Sequence, residues 1–125
     1  MSESWENHYL ETLGNVPEAI RQLFDLDPEV ATAYTAIRKR AYASEEGHVP
    51  LKYRELIFVV VDIEIGNYGG AMNHLAAAIK AGLTRTELAD ALIEMIMVRG
   101  ISTWGLTGHR VWADSQKLFE EASDV

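Results

Sequence analysis

Helix boundaries punctuate this sequence and nothing in it marks a β-hairpin, so the chain is constrained to helices before its composition is considered. Asp27-Pro28 reads as an N-cap with proline at the first helical position, leading PEVATAYTAIRKRAYA. Pro17 opens PEAIRQLF, SEEGHVP is a loop, and Pro50 opens LKYRELIFVVVDIEIG. In that last segment Phe58 to Val61 is largely β-branched and has the look of a buried strand. Its total length of about 16 residues favours a helix. Gly66-Asn67 ends it. Tyr68 or Gly69 starts the next helix, which stops at Gly82, a natural left-handed C-terminal residue. TRTE, Thr84 to Glu87, is a capping box, in which hydroxyl and carboxylate each take a backbone N–H. The helix from Arg85 ends at Gly100, and Ser102 or Thr103 is expected to cap a last helix running to about Glu121. The expectation is one all-α domain over residues 1–125 with six or seven helices.

Two of these helices are apolar beyond the needs of one core. In ELADALIEMIMV, Leu88, Leu92, Met95 and Ile96 share a face, and Ile93 and Met97 lie away from it. Such a helix is buried on most sides, which in a short chain predicts a partner subunit. A central core helix of a monomer is the alternative.

Several function classes drop out. The chain has no cysteine, which removes disulfides, thiolate nucleophiles and thiolate metal sites. The net charge is −8, which disfavours nucleic acid as a partner. The longest strongly apolar run, Leu56 to Val61, is far short of a membrane span. The N-terminal MSESWENHYLETLG has neither a basic nor an apolar signal region, and the expected compartment is the cytoplasm. Phosphate-loop and serine-elbow patterns are missing.

The residues able to carry chemistry are few. His74 follows Gly69-Gly70 on the early turns of an Ala-rich helix, and Gly70, one turn before it, adds no side chain. A neutral imidazole there can serve as base, hydrogen-bond donor or metal ligand. Glu55 lies one turn into an apolar helix, with Asp62 seven residues on and roughly on the same face. Acids in such a setting need partners or carry raised pKa values. His109 lies between Gly108 and Arg110, with Trp104 and Trp112 nearby. Each also has a structural reading: His74 as a hydrogen-bonded core histidine, Glu55 as an ion-pair partner of Lys52, Arg54 or Arg99, and His109 as packing or surface. Tyr68 reads as packing at the helix start. His8 and His48 fall in an expected tail and loop and receive no role. No local metal motif exists, since His74 and His109 are 35 positions apart.

The stretch LKYRELIFVVVDIEIGNYGGAMNHLAAAIKAGLTRTELADALIEM resembles the carboxymuconolactone decarboxylase family, which includes the alkyl hydroperoxidase D-like proteins. The cues are Lys-x-Arg-Glu-Leu, a small-residue turn, His with an Ala-rich turn and Gly, then Thr-x-x-Glu. Similarity runs from about Val49 to Trp112, and more weakly over NVPEAIRQLFDLDPEVATAYTAIRK. The resemblance implies an alkyl hydroperoxidase D-like all-α bundle assembled as a homotrimer or homohexamer, with sites near a subunit interface. The peroxidase branch carries two cysteines that fall on Asn67 and Gly70, and a relay glutamate that falls on Glu55. This chain keeps that Glu and the His and lacks both sulfurs, which excludes thiol peroxidase activity. The decarboxylase branch likewise keeps a histidine at position 74, and its second histidine falls on His109, in GISTWGLTGH. That branch has acids one turn before the first histidine, where this chain has Gly69 and Gly70, and does not usually have Glu at position 55.

The resemblance thus implies a decarboxylase-type lyase acting on a small carboxylated, cyclic or aromatic-derived metabolite, with no cofactor. His74 would deliver a proton, Glu55 would fix its tautomer, and His109 would orient the substrate or a second proton. Arg54, Arg99, Arg110 and Tyr68 are the expected substrate-binding residues. One alternative is a metal-dependent enzyme with Glu55, His74 and His109 as ligands of a divalent ion. The other is a non-catalytic relic that binds a small ligand. The expected partners are further copies of the chain and a small molecule, with neither nucleic acid nor membrane.

Overall fold

A computed structural model describes residues 4–43 and 45–123, which fall in two compact units, Met1–Glu45 and Glu46–Val125. Ser44 of the expected loop and residues 1–3 of the N-terminal segment lie outside the described residues. Among the described residues every regular element is helical, and Phe58 to Val61 lie in the middle of a helix.

The first unit holds α1 (Glu6–Leu13), α2 (Glu18–Leu26) and α3 (Pro28–Ala41). α3 begins as its sequence dictates. Asp27 Oδ1 accepts from the N–H groups of Glu29 (2.9 Å) and Val30 (3.4 Å), and Pro28 needs no donor there. α1 corrects the expected tail. It has no side-chain cap, but it buries Tyr9 completely, and the Tyr9 hydroxyl meets Thr35 Oγ1 at 2.8 Å. The Trp5 ring stacks on Phe24 with centroids 3.8 Å apart. His8 is therefore helical. Arg38 Nε donates to its Nε2 at 3.4 Å, and burial, followed by the Arg38 charge, lowers its pKa.

The second unit holds α4 (Leu51–Glu64), α5 (Tyr68–Lys80), α6 (Arg85–Arg99) and a last helix in three parts. Those parts are α7 (Ile101–Thr103), a π-helical turn (Trp104–Gly108) and α8 (His109–Ser123). α4 and α5 form a helical hairpin joined by Ile65, Gly66 and Asn67. The sharp turn requires Gly66, whose φ is +76°, a region that costs residues with a Cβ. The core of this unit is Val59 and Ile63 from α4, Ala71, Leu75 and Ala78 from α5, Leu88, Leu92 and Met95 from α6, and Val111 from α8, with Leu83 from the α5–α6 turn. α4, α5 and α6 each contribute residues three or four apart, the spacing of one helical face. Thr84 caps α6 with the full box: Oγ1 accepts from Glu87 N–H at 3.1 Å, and Glu87 Oε1 accepts from Thr84 N–H at 2.9 Å.

The start of the last helix departs from expectation. Neither Ser102 nor Thr103 caps it. The chain breaks at Gly100, with φ +85°, and is helical again from Ile101, so Thr103 is a buried helical residue. The π-helical turn follows, and Gly108 inside it has no room for a side chain. A Cβ there would lie 3.2 Å from Trp104 and 3.3 Å from Met95.

Candidate proton-transfer site on the α4–α5 hairpin

Glu55 and Asp62 lie seven residues apart on α4, which brings them to one side of the helix about two turns from each other. His74 of α5 sits between them. Its Nδ1 is 2.7 Å from Glu55 Oε2, and its Nε2 is 3.8 Å from Asp62 Oδ2. The first contact is a short hydrogen bond; the second is longer than any hydrogen bond. The Phe58 ring lies 4.9 Å from the imidazole, centroid to centroid, tilted 54° to it.

Burial distinguishes the three groups. The Glu55 side chain is 2 % exposed, Asp62 17 % and His74 20 %. A carboxylate with almost no water must accept hydrogen bonds from protein donors. The Nδ1–H of His74 donates to it, which fixes the tautomer and leaves Nε2 toward the more open end of the site. Burial also acts on Asp62. Desolvation raises its pKa, while the charge of His74 and a hydrogen bond from Asn67 oppose that rise.

The turn into α5 completes the site. Asn67 Oδ1 caps the helix by accepting from Gly70 N–H at 3.0 Å. Its Nδ2 reaches back toward Asp62 Oδ1 at 3.4 Å. A Cβ on Gly70 would lie 2.5 Å from Asn67 Nδ2 and 2.8 Å from Asp62 Oδ2. No real contact is that short, so the Asp62 carboxylate and the Asn67 amide fill the space that a side chain at position 70 would need.

The other candidate residues are more scattered. His109 begins α8 with its side chain exposed, and the hydrogen bonds of the site join Glu55 and His74 without it. Arg54 is half-buried on α4 beside Glu55, and Arg99 is exposed at the end of α6. Arg110 and Tyr68 come together: the guanidinium carbon lies 4.1 Å from the Tyr68 ring centre, and the Tyr68 hydroxyl donates to Asp114. That hydrogen bond is the main cause of a raised Tyr68 pKa. Among the described residues no three His, Asp or Glu side chains are grouped to hold a metal ion. No described helix is long and apolar enough to cross a membrane.

Two residues of this geometry lay outside the candidate set read from sequence. Asp62 carried a signal, its place on the Glu55 face. Asn67 carried one only as a helix cap.

The carboxymuconolactone decarboxylase family model matches residues 28–104. The chain is also similar to the crystal structure of a provisionally named carboxymuconolactone decarboxylase from Burkholderia xenovorans LB400. The two share 34 % sequence identity over 95 % of this chain and 91 % of that one, with a TM-score of 0.85. No functionally curated protein matches the chain.

Proposed function

The chain belongs to the carboxymuconolactone decarboxylase family, and from that premise we propose that it is a decarboxylase-type lyase acting on a small carboxylated, cyclic or aromatic-derived metabolite. The observation that carries the reading is the 2.7 Å contact between His74 Nδ1 and the buried Glu55 carboxylate. A histidine placed only for packing has no need of a buried carboxylate on one nitrogen and a second, more exposed acid facing the other.

The chemistry follows from that asymmetry. When the bond between a substrate carbon and its carboxylate breaks, carbon dioxide leaves and the electron pair stays on the substrate, spread into a conjugated carbonyl. That carbon then takes one proton. An imidazolium at position 74 gives its Nε2 proton to the carbon and keeps the proton on Nδ1, where it donates to Glu55. The Glu55 carboxylate on the Nδ1 edge of the ring stabilises the imidazolium before transfer. Glu55 holds the ring in one orientation, so little reorganisation is needed at the moment of transfer.

The substrate's carboxylate must enter a site that already holds two acids, so a cation has to receive it. Arg54, next to Glu55 on α4, is the first candidate, with Arg99, Arg110 and Tyr68 as further ones. A planar guanidinium suits a carboxylate better than an ammonium does. The same reading includes self-assembly as a homotrimer or homohexamer. It is supported by Ile93, Met97 and Val98 of α6, which in the single chain are exposed, Met97 by 79 %.

The test is carbon dioxide release from a panel of small unsaturated lactone carboxylates and cyclic keto acids. His74→Gln should abolish turnover while leaving the helical circular dichroism unchanged. Glu55→Gln should reduce it by a smaller factor, about 10–100-fold, the size seen for carboxylates that orient metal-bound histidines. Turnover that survives His74→Gln at the native rate would overturn the reading, as would no His74-dependent release from any member of the panel.

A further inference from the structure

In that decarboxylation His74 Nε2 gives up a proton, which must be replaced before the next turnover. Asp62 Oδ2 is the carboxylate oxygen opposite Nε2, at 3.8 Å, about 1 Å beyond a hydrogen bond. Asn67 Nδ2 holds the other oxygen, Oδ1, at 3.4 Å, so the carboxylate is oriented with one oxygen tied and one directed at the ring. Gly70 is the residue that permits this placement, because any Cβ there would lie 2.8 Å from Oδ2.

We propose that Asp62 is the proton-exchange partner of His74 Nε2, so that the site is a three-membered relay, Glu55–His74–Asp62, with Gly70 as the residue that gives the outer member its place. This inference rests on the decarboxylase reading for its chemistry and on the hairpin geometry for its residues. Asp62 acts through His74 and is a positioning residue, not one that touches substrate. After Nε2 has given its proton to the substrate carbon, the Asp62 O–H bond breaks and a new Nε2–H bond forms. The electron pair of the broken bond stays on Oδ2, and water then returns a proton to the carboxylate. A small rotation of the Asp62 side chain closes the gap. Its partial burial favours the proton-bearing form to a higher pH than an exposed aspartate would allow. The titratable groups around it are His74 on α5 and, across the ring, Glu55 on its own helix; the Asn67 amide is uncharged.

The reach of this site is also limited by Gly70. A variant that adds one methyl group at position 70 displaces Asp62 without removing its charge. The groups it meets are the outer atoms of the Asp62 and Asn67 side chains, which can swing away without moving the backbone.

The experiment uses the full chain labelled with nitrogen-15 in histidine and carbon-13 in aspartate carboxyls. Long-range proton–nitrogen NMR of the His74 ring and the Asp62 carboxyl signal are followed against pH. In the native chain the Nε2 signal should carry a pH step that coincides with the Asp62 carboxyl step. Asp62→Asn should remove that shared step. Gly70→Ala should remove it too, with the aspartate still present and the helical circular dichroism retained. Asp62→Glu, which keeps a carboxylate within reach, should restore it. If Asp62→Asn and Gly70→Ala both keep the native Nε2 profile, the inference is wrong. Glu55→Gln serves as the separate control on the underlying reading: it should move the Nδ1 signal whatever Asp62 does. An unmoved Nδ1 would sink the Glu55–His74 dyad itself, a failure distinct from the loss of Asp62's role alone.

Discussion

Replacing His74 by leucine should cost far more stability than replacing Glu55 by glutamine, and the two changes should not add. The reason is the difference in burial. Glu55 is 2 % exposed and His74 20 %. His74→Leu therefore leaves a carboxylate in the interior without the ring that donates to it, a loss of about 3–5 kcal/mol for a broken buried charge pair. Glu55→Gln keeps a side-chain oxygen that can accept from Nδ1–H. It loses only the extra strength of a charged acceptor, about 1 kcal/mol net. The double variant sets a neutral amide against leucine, at about 2 kcal/mol for an unsatisfied polar group. Adding the single effects gives about 5 kcal/mol, so the expected coupling is about 3 kcal/mol, with Glu55→Gln rescuing His74→Leu. Urea unfolding of the four proteins at neutral pH, followed by far-UV circular dichroism, measures each term. If the single effects add to within about 0.5 kcal/mol, the contact carries no energy of its own and the argument fails.

Asp62 gives a pH-dependent counterpart. Its pKa in the fold is raised, chiefly by burial. A raised carboxyl contributes stability below its unfolded pKa and loses it as pH rises through the folded one. Asp62→Asn should therefore be favourable relative to the native chain at neutral pH, and this advantage should shrink as the pH falls into the ordinary carboxylate range. Unfolding midpoints across that range check the slope, and an advantage that grows toward acid would contradict it. Light scattering should give a mass three or six times that of one chain at micromolar concentration, and Met97→Glu should lower it; a 14.0 kDa species alone would refute the assembly. With no cysteine in the chain, turnover of an organic hydroperoxide coupled to a dithiol should not exceed that of a heat-killed control.

The parts of the fold that were legible in sequence are those where a boundary is made by the residues at the boundary. Asp27-Pro28 and Thr84 with Glu87 form their caps from side chains within three positions, so local chemistry decides them. Leu51 to Glu64 was decided by length, because a strand of that extent would be unusual and a helix ordinary. α1 was not legible. Its N-cap position is Trp5, with no side-chain cap, and its anchor is Tyr9 buried against Thr35, 26 residues away. The hydroxyls of Ser102 and Thr103 suggested a cap by residue type alone. Gly100 makes the break instead, and the helix resumes one residue later.

The site divides along the same line. Glu55 and His74 were placed by their match to a family pattern, and spacing alone says nothing about a contact between separate helices. The hairpin supplies that contact, because the short Ile65–Asn67 connection turns α5 back along α4. Asp62 was visible as a residue on the Glu55 face, but its role depends on a side chain that is missing. At Gly70 a Cβ would crowd Oδ2 at 2.8 Å, and Asn67, the helix cap, would be pushed aside with it. The two glycines that open α5 are thus not equivalent. A Cβ on Gly69 would meet nothing within 4 Å, whereas one on Gly70 would meet the carboxylate that faces the histidine. The identity of residue 70 therefore decides whether His74 is flanked by one acid or by two, and with it whether Nε2 exchanges its proton with a carboxylate or with water.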